Sequence, residues 1–530
     1  MKPTPLVDKL DNLLNPIVVK ELRQAVKSRI VMSALMLFLV IQLSILLLNL
    51  SFGDRQTGNA INLHAGREIF QILQGILLGT CMLLIPTYAG VRLAAEHSDT
   101  NVDLLFISTL RPRGIIAGKL QASVVLILLI FSACAPFMTF TYLLRGIDIP
   151  TILLVLVLDF LVVLLSTQAA IFLGAVPANT GLKLLLGLTG LGLLVSFFGS
   201  TMGFSIEMLD LGLGSRLDSV EFWLIAGAAA IVILATIGLM FTWSVAIVSP
   251  PSANRALPVR LYLLGFWLVT GAVAAVLARY FHIPFPLYIW QSAIIALLCA
   301  QFLVAINERQ QWGLRVRRTL PRSRWLRGPL FLLYSGSAGG ILLLVLLAAL
   351  TIALPSYALE YWSAAFLPAF GRFAAETNRR QTLALVLIAL YTFDYCMLAV
   401  WLRNVLLYER IKAANTWVLA LILWALGFSL PWPILFLFQN EELRMGQIDP
   451  LCQISNPFST IFTCVMEPSA NAQNFCDACL LILGGLGLLL LLGCLPWMVR
   501  QVNRFRPPEK DTPYPASGGS YAPGEIEPGA

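Results

Sequence analysis

Long apolar runs recur along this 530-residue chain, and they constrain its fold more than any other feature. A helix rises about 1.5 Å per residue, so about 20 apolar residues cross the hydrocarbon core of a bilayer. The composition agrees, because only 12% of the residues are charged, about half the share in a soluble chain. We therefore expect an all-α polytopic membrane protein with about twelve transmembrane helices. The spans are expected near residues 30–52, 68–91, 120–144, 151–176, 182–200, 221–248, 261–280, 284–305, 329–354, 381–402, 416–438 and 478–499.

A proline-rich break, Ser249-Pro250-Pro251, divides these spans into two six-helix sets. The tail is rich in Pro and Gly, which predicts disorder. The expected regions are an amphipathic interfacial helix (1–29), a first six-span membrane domain (30–248), a linker (249–260), a second six-span region (261–499) and a disordered cytoplasmic tail (500–530).

The segment before the first span has the pattern of a capped, basic amphipathic helix. Asn15 is a favourable N-cap, and Pro16 stands at the first helical position, where its missing N–H costs nothing. A helical wheel separates an apolar face from a basic one. The apolar face holds Val18, Leu22, Ala25 and Val26, and the other holds Lys20, Arg23, Gln24 and Lys27. Such a helix is expected to lie on the membrane surface, in contact with lipid.

The distribution of positive charge predicts the orientation of the chain. If the N-terminus is inside, roughly three quarters of the 36 Lys and Arg residues fall in inner segments, as the positive-inside rule requires. Both termini are then cytoplasmic, in a cell inner (plasma) membrane. The basic balance is explained by orientation, and no basic face with aromatic or groove-reading elements indicates a nucleic-acid partner.

The loop between the second and third spans contains a short helix by its sequence pattern. Thr100 and Asp103 form a capping box, so a helix is expected over about 101–108. Leu104, Leu105 and Phe106 give it an apolar surface. It is too short to span a membrane. It is either a docking element for a partner protein or an interfacial loop that caps the bundle.

These two segments together resemble a known family. NPIVVKELRQAVKSR at 15–29 and EHSDTNVDLLFISTL at 96–110, with IIAGKL at 115–120 leading into the third span, are similar to the permease subunit of ABC-2 type transporters. The matching positions are Asn15, Pro16, Lys20, Glu21 and Arg23 in the interfacial helix, and Glu96, Thr100, Asp103, Leu104, Leu105, Ser108, Ile115, Gly118 and Lys119 in the coupling segment. The resemblance is specific over roughly residues 12–145.

The resemblance implies that the chain is the membrane subunit of an exporter. The helix at 101–108 would be the coupling helix, which fits a cleft of an ABC ATP-binding subunit. A minimal permease of this family has six spans. The second set of six leaves two assemblies open, a homodimer and an internal pseudo-dimer.

The sequence carries no ATP site of its own. Three residues stand between Gly114 and Gly118, and Lys119 is followed by Leu120, whereas a phosphate-binding loop needs four residues between the glycines and Ser or Thr after the lysine. We therefore expect no cofactor and no catalytic residue in this chain, with ATP on the partner.

Two carboxylates, Asp159 and Asp394, lie well inside spans. A charge at mid-bilayer is costly, so such residues usually face a cavity or a partner. They could bind a cation or couple protons, or they could form structural hydrogen bonds with neighbours such as Gln168 or Tyr391. The first possibility supports an alternative function, an ATP-independent secondary transporter, and a scaffold for a membrane complex is also open.

Four cysteines, Cys452, Cys464, Cys476 and Cys479, lie in the outer loop 439–477 or just past it. In an oxidising compartment they would form one or two structural disulfides, whose pairing the sequence leaves open. The four cysteines could also remain free thiols, and the CxxC pair could instead be redox-active or bind a metal. No HExxH pattern indicates a metal site elsewhere.

Overall fold

A computed structural model describes thirteen segments of the chain. They are residues 16–56, 65–96, 111–143, 147–177, 179–210, 217–250, 252–308, 312–321, 323–366, 371–407, 413–431, 454–466 and 470–507. Within these segments the regular structure is entirely helical.

Sixteen α-helices occur in the described segments. They are α1 (Pro16–Lys27), α2 (Arg29–Gln56), α3 (Ala65–Glu96), α4 (Pro112–Leu143), α5 (Ile149–Ala175), α6 (Thr180–Asp210), α7 (Val220–Val248), α8 (Ala256–Phe281), α9 (Phe285–Ala305), α10 (Leu314–Arg318), α11 (Arg324–Leu333), α12 (Ser337–Phe366), α13 (Gly371–Val405), α14 (Thr416–Ser429), α15 (Pro457–Met466) and α16 (Ala470–Arg504). A single 3₁₀ turn, Ala413–Asn415, precedes α14.

Eleven of the described helices are long and apolar enough to cross a membrane, which confirms a multi-pass membrane protein. They are α2 to α9, α12, α13 and α16. The expected span at 416–438 is represented by α14, which has 14 residues, and residues 432–438 lie outside the described segments. The count of twelve spans therefore stays a prediction.

Helix α1, which was expected at the membrane interface, is separated from α2 by a break at Ser28. Pro16 is the first residue of α1, the position that its sequence favours. The buried residues of α1 are Val18, Glu21 and Ala25, whereas Val26, assigned to the apolar face, is 60% exposed. A charged residue thus occupies the buried side of this helix.

The chain divides into two compact units. The first contains residues 1–250 and 258–290, and the second contains 251–257 and 291–530. Most of helix α8 is therefore assigned to the first unit, and the division falls inside α9.

Helix α3 lies at the centre of the first unit and contacts α2, α4, α5 and α6. Its side chains Phe70, Leu73 and Leu77 are fully buried in the apolar core. Helices α3 and α5 approach backbone to backbone at Gly90 and Gly174, since a Cβ on Gly174 would overlap the carbonyl oxygen of Gly90. Small residues permit such close packing between membrane helices.

Helix α13 has the central position in the second unit, where it contacts α12, α14, α15 and α16. Leu387 and Tyr391 of α13 lie in a buried cluster with Phe475 of α16. The Tyr391 hydroxyl donates a hydrogen bond of 2.6 Å to the carbonyl oxygen of Ile454, and this satisfies its polar atom within the apolar cluster.

Candidate functional site

A group of charged side chains joins helix α1 to α3 and α4 at one end of the first unit. Lys20 and Glu21 come from α1, Arg92 and Glu96 from the last turns of α3, and Lys119 from the second turn of α4. We call these five residues the charge network. It unites residues separated by almost 100 positions in the sequence, and it lies beside the loop that follows Glu96.

Lys119 is the centre of the charge network. Its Nζ atom lies 2.7 Å from Oε1 of Glu21 and 2.7 Å from Oε2 of Glu96. Lys119 is 4% exposed and Glu21 is 6% exposed. Burying ions away from water costs several kcal/mol for each, so a buried pair persists only with short, well-oriented contacts. The ammonium group offers three donors, and the two carboxylates engage two of them.

Arg92 approaches Glu21 from the other side. Its Nε lies 3.7 Å from Oε2 of Glu21, and one terminal nitrogen donates a hydrogen bond of 2.5 Å to the Tyr88 hydroxyl. The other terminal nitrogen donates to the side-chain oxygen of Gln24. Because Glu21 and Gln24 both lie on α1, Arg92 fixes the rotation of α1 about its own axis.

The outer edge of the charge network is solvated. Lys20 Nζ lies 3.4 Å from Oε1 of Glu96, and its side chain is 57% exposed. Arg23, expected at the membrane surface, is also exposed. An exposed ion pair contributes little stability, about 0–1 kcal/mol. The ion pairs of the buried Lys119 therefore contribute most to the attachment of α1 to α3 and α4.

The charge network holds both ends of one loop. Helix α3 ends at Glu96, and α4 begins at Pro112 and contains Lys119. The chain between them carries the expected coupling helix. Thr100, Asp103, Leu104, Leu105 and Phe106 lie outside the described segments, as does Asn15. The structure therefore describes the anchors of this loop, and its helix remains a prediction.

Asp159 of α5 is buried at 1% exposure in the core of the first unit. Gln74 of α3 donates a hydrogen bond of 2.8 Å from Nε2 to Oδ2 of Asp159. The neighbour considered from sequence, Gln168, donates to Ser244 of α7 instead. The partner of Asp159 thus comes from another helix, at a separation of 85 residues.

Asp394 of α13 is buried at 4% exposure, and among the described residues neither of its carboxyl oxygens has a hydrogen-bond partner. Tyr391, considered as its partner from sequence, donates to Ile454. The carboxyl group packs against bare backbone, since a Cβ on Gly487 would lie 2.7 Å from Oδ1 of Asp394. Asp159 and Asp394 belong to different compact units.

Three of the four outer-loop cysteines lie in one buried cluster of the second unit. Cys464 of α15 is grouped there with Cys476 and Cys479 of α16, and all three are thiols. Cys452 lies outside the described segments. In the part of the chain that the structure describes, no three His, Cys, Asp or Glu side chains are placed to hold a metal ion. The disulfides stay a prediction.

Sequence reasoning alone did not find the partners within the charge network. No sequence pattern singles out Arg92, and the helical wheel of α1 places Glu21 on neither its apolar nor its basic face. One sequence feature could have indicated them, because Lys119 stands directly before the apolar run of the third span. A lysine that adjoins an apolar helix and becomes buried by its neighbours is expected to have a counter-charge.

The eleven apolar helices define the class of the protein as a multi-pass helical membrane protein, and in its first unit the charge network ties α1 to α3 and α4. No family model, no curated protein and no solved structure matches the chain.

Proposed function

We propose that this chain is the membrane-spanning permease subunit of an ABC-2 type transporter, an exporter driven by ATP that a separate subunit hydrolyses. The observation that carries the proposal is the position of Lys119, 2.7 Å from both Glu21 and Glu96. The resemblance selects Lys20, Glu21, Glu96 and Lys119 from three separate stretches of sequence. Their meeting in one network supports a common role for those stretches.

The network offers a route for mechanical coupling. The loop 97–111 leaves α3 and returns to α4, and α3 is the central helix of the first unit. A partner that pushes this loop would therefore displace the helix with the most buried contacts. Because Lys119 and Arg92 bind α1 to both helices, the interfacial helix would move with them. In this proposal the network side of the membrane is cytoplasmic.

An apolar-to-charged substitution in the loop tests the coupling role. Leu104→Arg or Leu105→Arg is expected to abolish co-purification of a co-expressed ABC ATP-binding subunit, for which a Walker-A ATPase gene adjacent to the gene of this chain would be the candidate, because a buried arginine without a partner is costly. Membrane insertion should be unchanged, since these residues lie outside the spans. The measurement is an affinity purification of the tagged chain in detergent, with the ATPase quantified by immunoblot.

Leu406→Arg is the matched control. Leu406 follows α13, is 68% exposed and lies in a different loop that is expected on the same side of the membrane. It should leave co-purification intact. Normal recovery of the ATPase with both loop variants would refute the coupling role.

A second candidate is ATP-independent transport coupled to a cation, and it rests on the unpartnered carboxyl group of Asp394. Vesicles containing the purified chain and the pH dye pyranine would report proton uptake under an imposed potential. Proton coupling predicts uptake that Asp394→Asn abolishes and that Asp477→Asn, at an exposed carboxylate of α16, preserves. Proton uptake no faster than that of protein-free vesicles would argue against this candidate.

A further inference from the structure

A lateral cleft of about 430 Å³ opens in the first unit between α3, α5, α6 and α7. Its walls are almost entirely apolar, and four glycines, Gly90, Gly174, Gly187 and Gly190, line it. Its volume lies within the range of small-molecule sites. A cavity with apolar walls does not hold ordered water, so the expected occupant is itself apolar along most of its length.

The cleft has one cationic end. Lys183, near the start of α6, is the single charged side chain among its lining residues. Its Nζ donates a hydrogen bond of 3.4 Å to the carbonyl oxygen of Ala94, which lies two residues before the end of α3. That bond uses one of the three ammonium donors, so two remain for an anionic group.

The cleft is long enough to hold an acyl chain of a lipid from one leaflet. Its lining on α6 extends from Lys183 to Phe197, a rise of about 21 Å in a helix. The hydrocarbon core of a bilayer is about 30 Å thick, so the cleft reaches from one interface past the depth of a single leaflet. A positive end and an apolar body of this length fit an amphiphile with an anionic head.

We propose that this cleft is a binding site for one anionic phospholipid from the leaflet on the network side. The phosphate binds the Lys183 ammonium group, and an acyl chain lies along the glycine-lined wall between α3 and α6. This site does not depend on an ATP-binding partner. A second copy of this chain fits the cleft less well. An inserted helix with its side chains would be about 10 Å wide, and an apolar helix would leave the Lys183 ammonium group without an anion.

The test is native mass spectrometry of the purified full chain, titrated with phosphatidylglycerol or phosphatidylcholine that carry the same acyl chains. The wild-type chain should bind one phosphatidylglycerol at least tenfold more tightly than phosphatidylcholine. Lys183→Gln should remove this preference, and Lys183→Arg should keep it. An equal affinity for both lipids in the wild-type chain would overturn the proposal.

Filling the cleft provides a second test with a matched control. A Cβ on Gly187 meets no atom within 4 Å, and the same is true of Gly199, which lies on the same helix but does not line the cleft. Gly187→Trp should weaken phosphatidylglycerol binding at least tenfold, while Gly199→Trp should stay within twofold of wild type. Equal phosphatidylglycerol binding by the two variants would contradict the site. A lipid-free dimer of the wild-type chain that Gly187→Trp disrupts and Gly199→Trp leaves intact would also contradict it, because a second copy of the chain would then occupy the cleft.

A photoactivatable phosphatidylglycerol removes the dependence on folding of the variants. Crosslinked to the wild-type chain, it should label peptides of α3 and α6 near the cleft. Labelling confined to other helices would overturn the proposal.

Discussion

Lys119 is buried between two carboxylates, and this arrangement is informative because removing the charges from water costs free energy. An apolar residue of similar volume would often be as stable or more stable at a buried ion pair. The charges instead impose one arrangement, since Lys119 can satisfy both Glu21 and Glu96 only when α1, α3 and α4 are in register. This supports a role in positioning those three helices.

Removing the central charge should cost much more than removing a surface charge. Lys119→Met leaves Glu21 buried and Glu96 partly buried without their shortest ion pairs, so we expect a loss of about 3–5 kcal/mol, seen as a lower melting temperature in detergent. Lys27→Met, at an exposed lysine of α1, should change stability by less than about 1 kcal/mol.

A double-mutant cycle with Glu21→Gln would separate the two carboxylates. Because Glu21 and Lys119 are in direct contact, their effects should be non-additive by about 0.5–3 kcal/mol. Additive effects would mean that the pair seen here does not contribute as a unit.

Asp159 gives a second prediction for a single residue. Asp159→Asn keeps an oxygen that can accept the Gln74 hydrogen bond, so it should change the melting temperature little. Asp159→Leu leaves the Gln74 amide buried without this acceptor, at a cost of about 1–3 kcal/mol. Equal melting temperatures for the two variants would show that the hydrogen bond is not structural.

At the scale of elements, the first unit is built on close contact between α3 and α5. The backbone atoms approach at Gly90 and Gly174, and a side chain at either position meets backbone rather than a flexible group. A Cβ on Gly90 would lie 2.9 Å from the carbonyl oxygen of Ala170. Backbone atoms of two packed helices cannot shift without separating the helices, so this crossing sets the distance between them.

Gly174→Ala should therefore destabilise the protein although alanine favours helices. We expect a loss of about 1–3 kcal/mol from overpacking, measured as a lower melting temperature in detergent. The control is Gly227→Ala on α7, where a Cβ meets nothing within 4 Å and the substitution should stabilise by up to about 1 kcal/mol. A Gly174→Ala variant as stable as the control would contradict the close approach.

The sequence predicted elements better than contacts. Apolar runs indicated the spanning helices because hydrocarbon excludes any unpaired backbone, and Pro16 indicated the start of α1 because its ring fits the first helical turn. The pairing of Asp159 with Gln74 could not be predicted, since it depends on which helices are neighbours. Glu21 was not placed on the buried side of α1 because a helical wheel sorts residues by hydropathy alone. It does not show that a charged residue will be buried against a counter-charge from another helix, as Glu21 is against Lys119.

At the scale of the whole molecule, the number of spans decides where the chain's termini lie. Eleven described helices can span, and an odd number of crossings puts the two termini on opposite sides. Helix α14 has 14 residues, about 21 Å, which is short of the hydrocarbon thickness of about 30 Å. It needs the residues after it to complete a crossing.

Reporter fusions would determine whether the segment 416–438 crosses. Arg500, Arg504 and Arg506 lie at or beyond the end of the last span, so the positive-inside rule predicts that this end is cytoplasmic. A phosphatase active only outside the cytosol should then be inactive when fused after Leu407 or after Pro507, and active when fused after Ser455. An active fusion after Pro507 would mean that α14 does not cross, because one missing crossing between Leu407 and Pro507 reverses the side of everything after it.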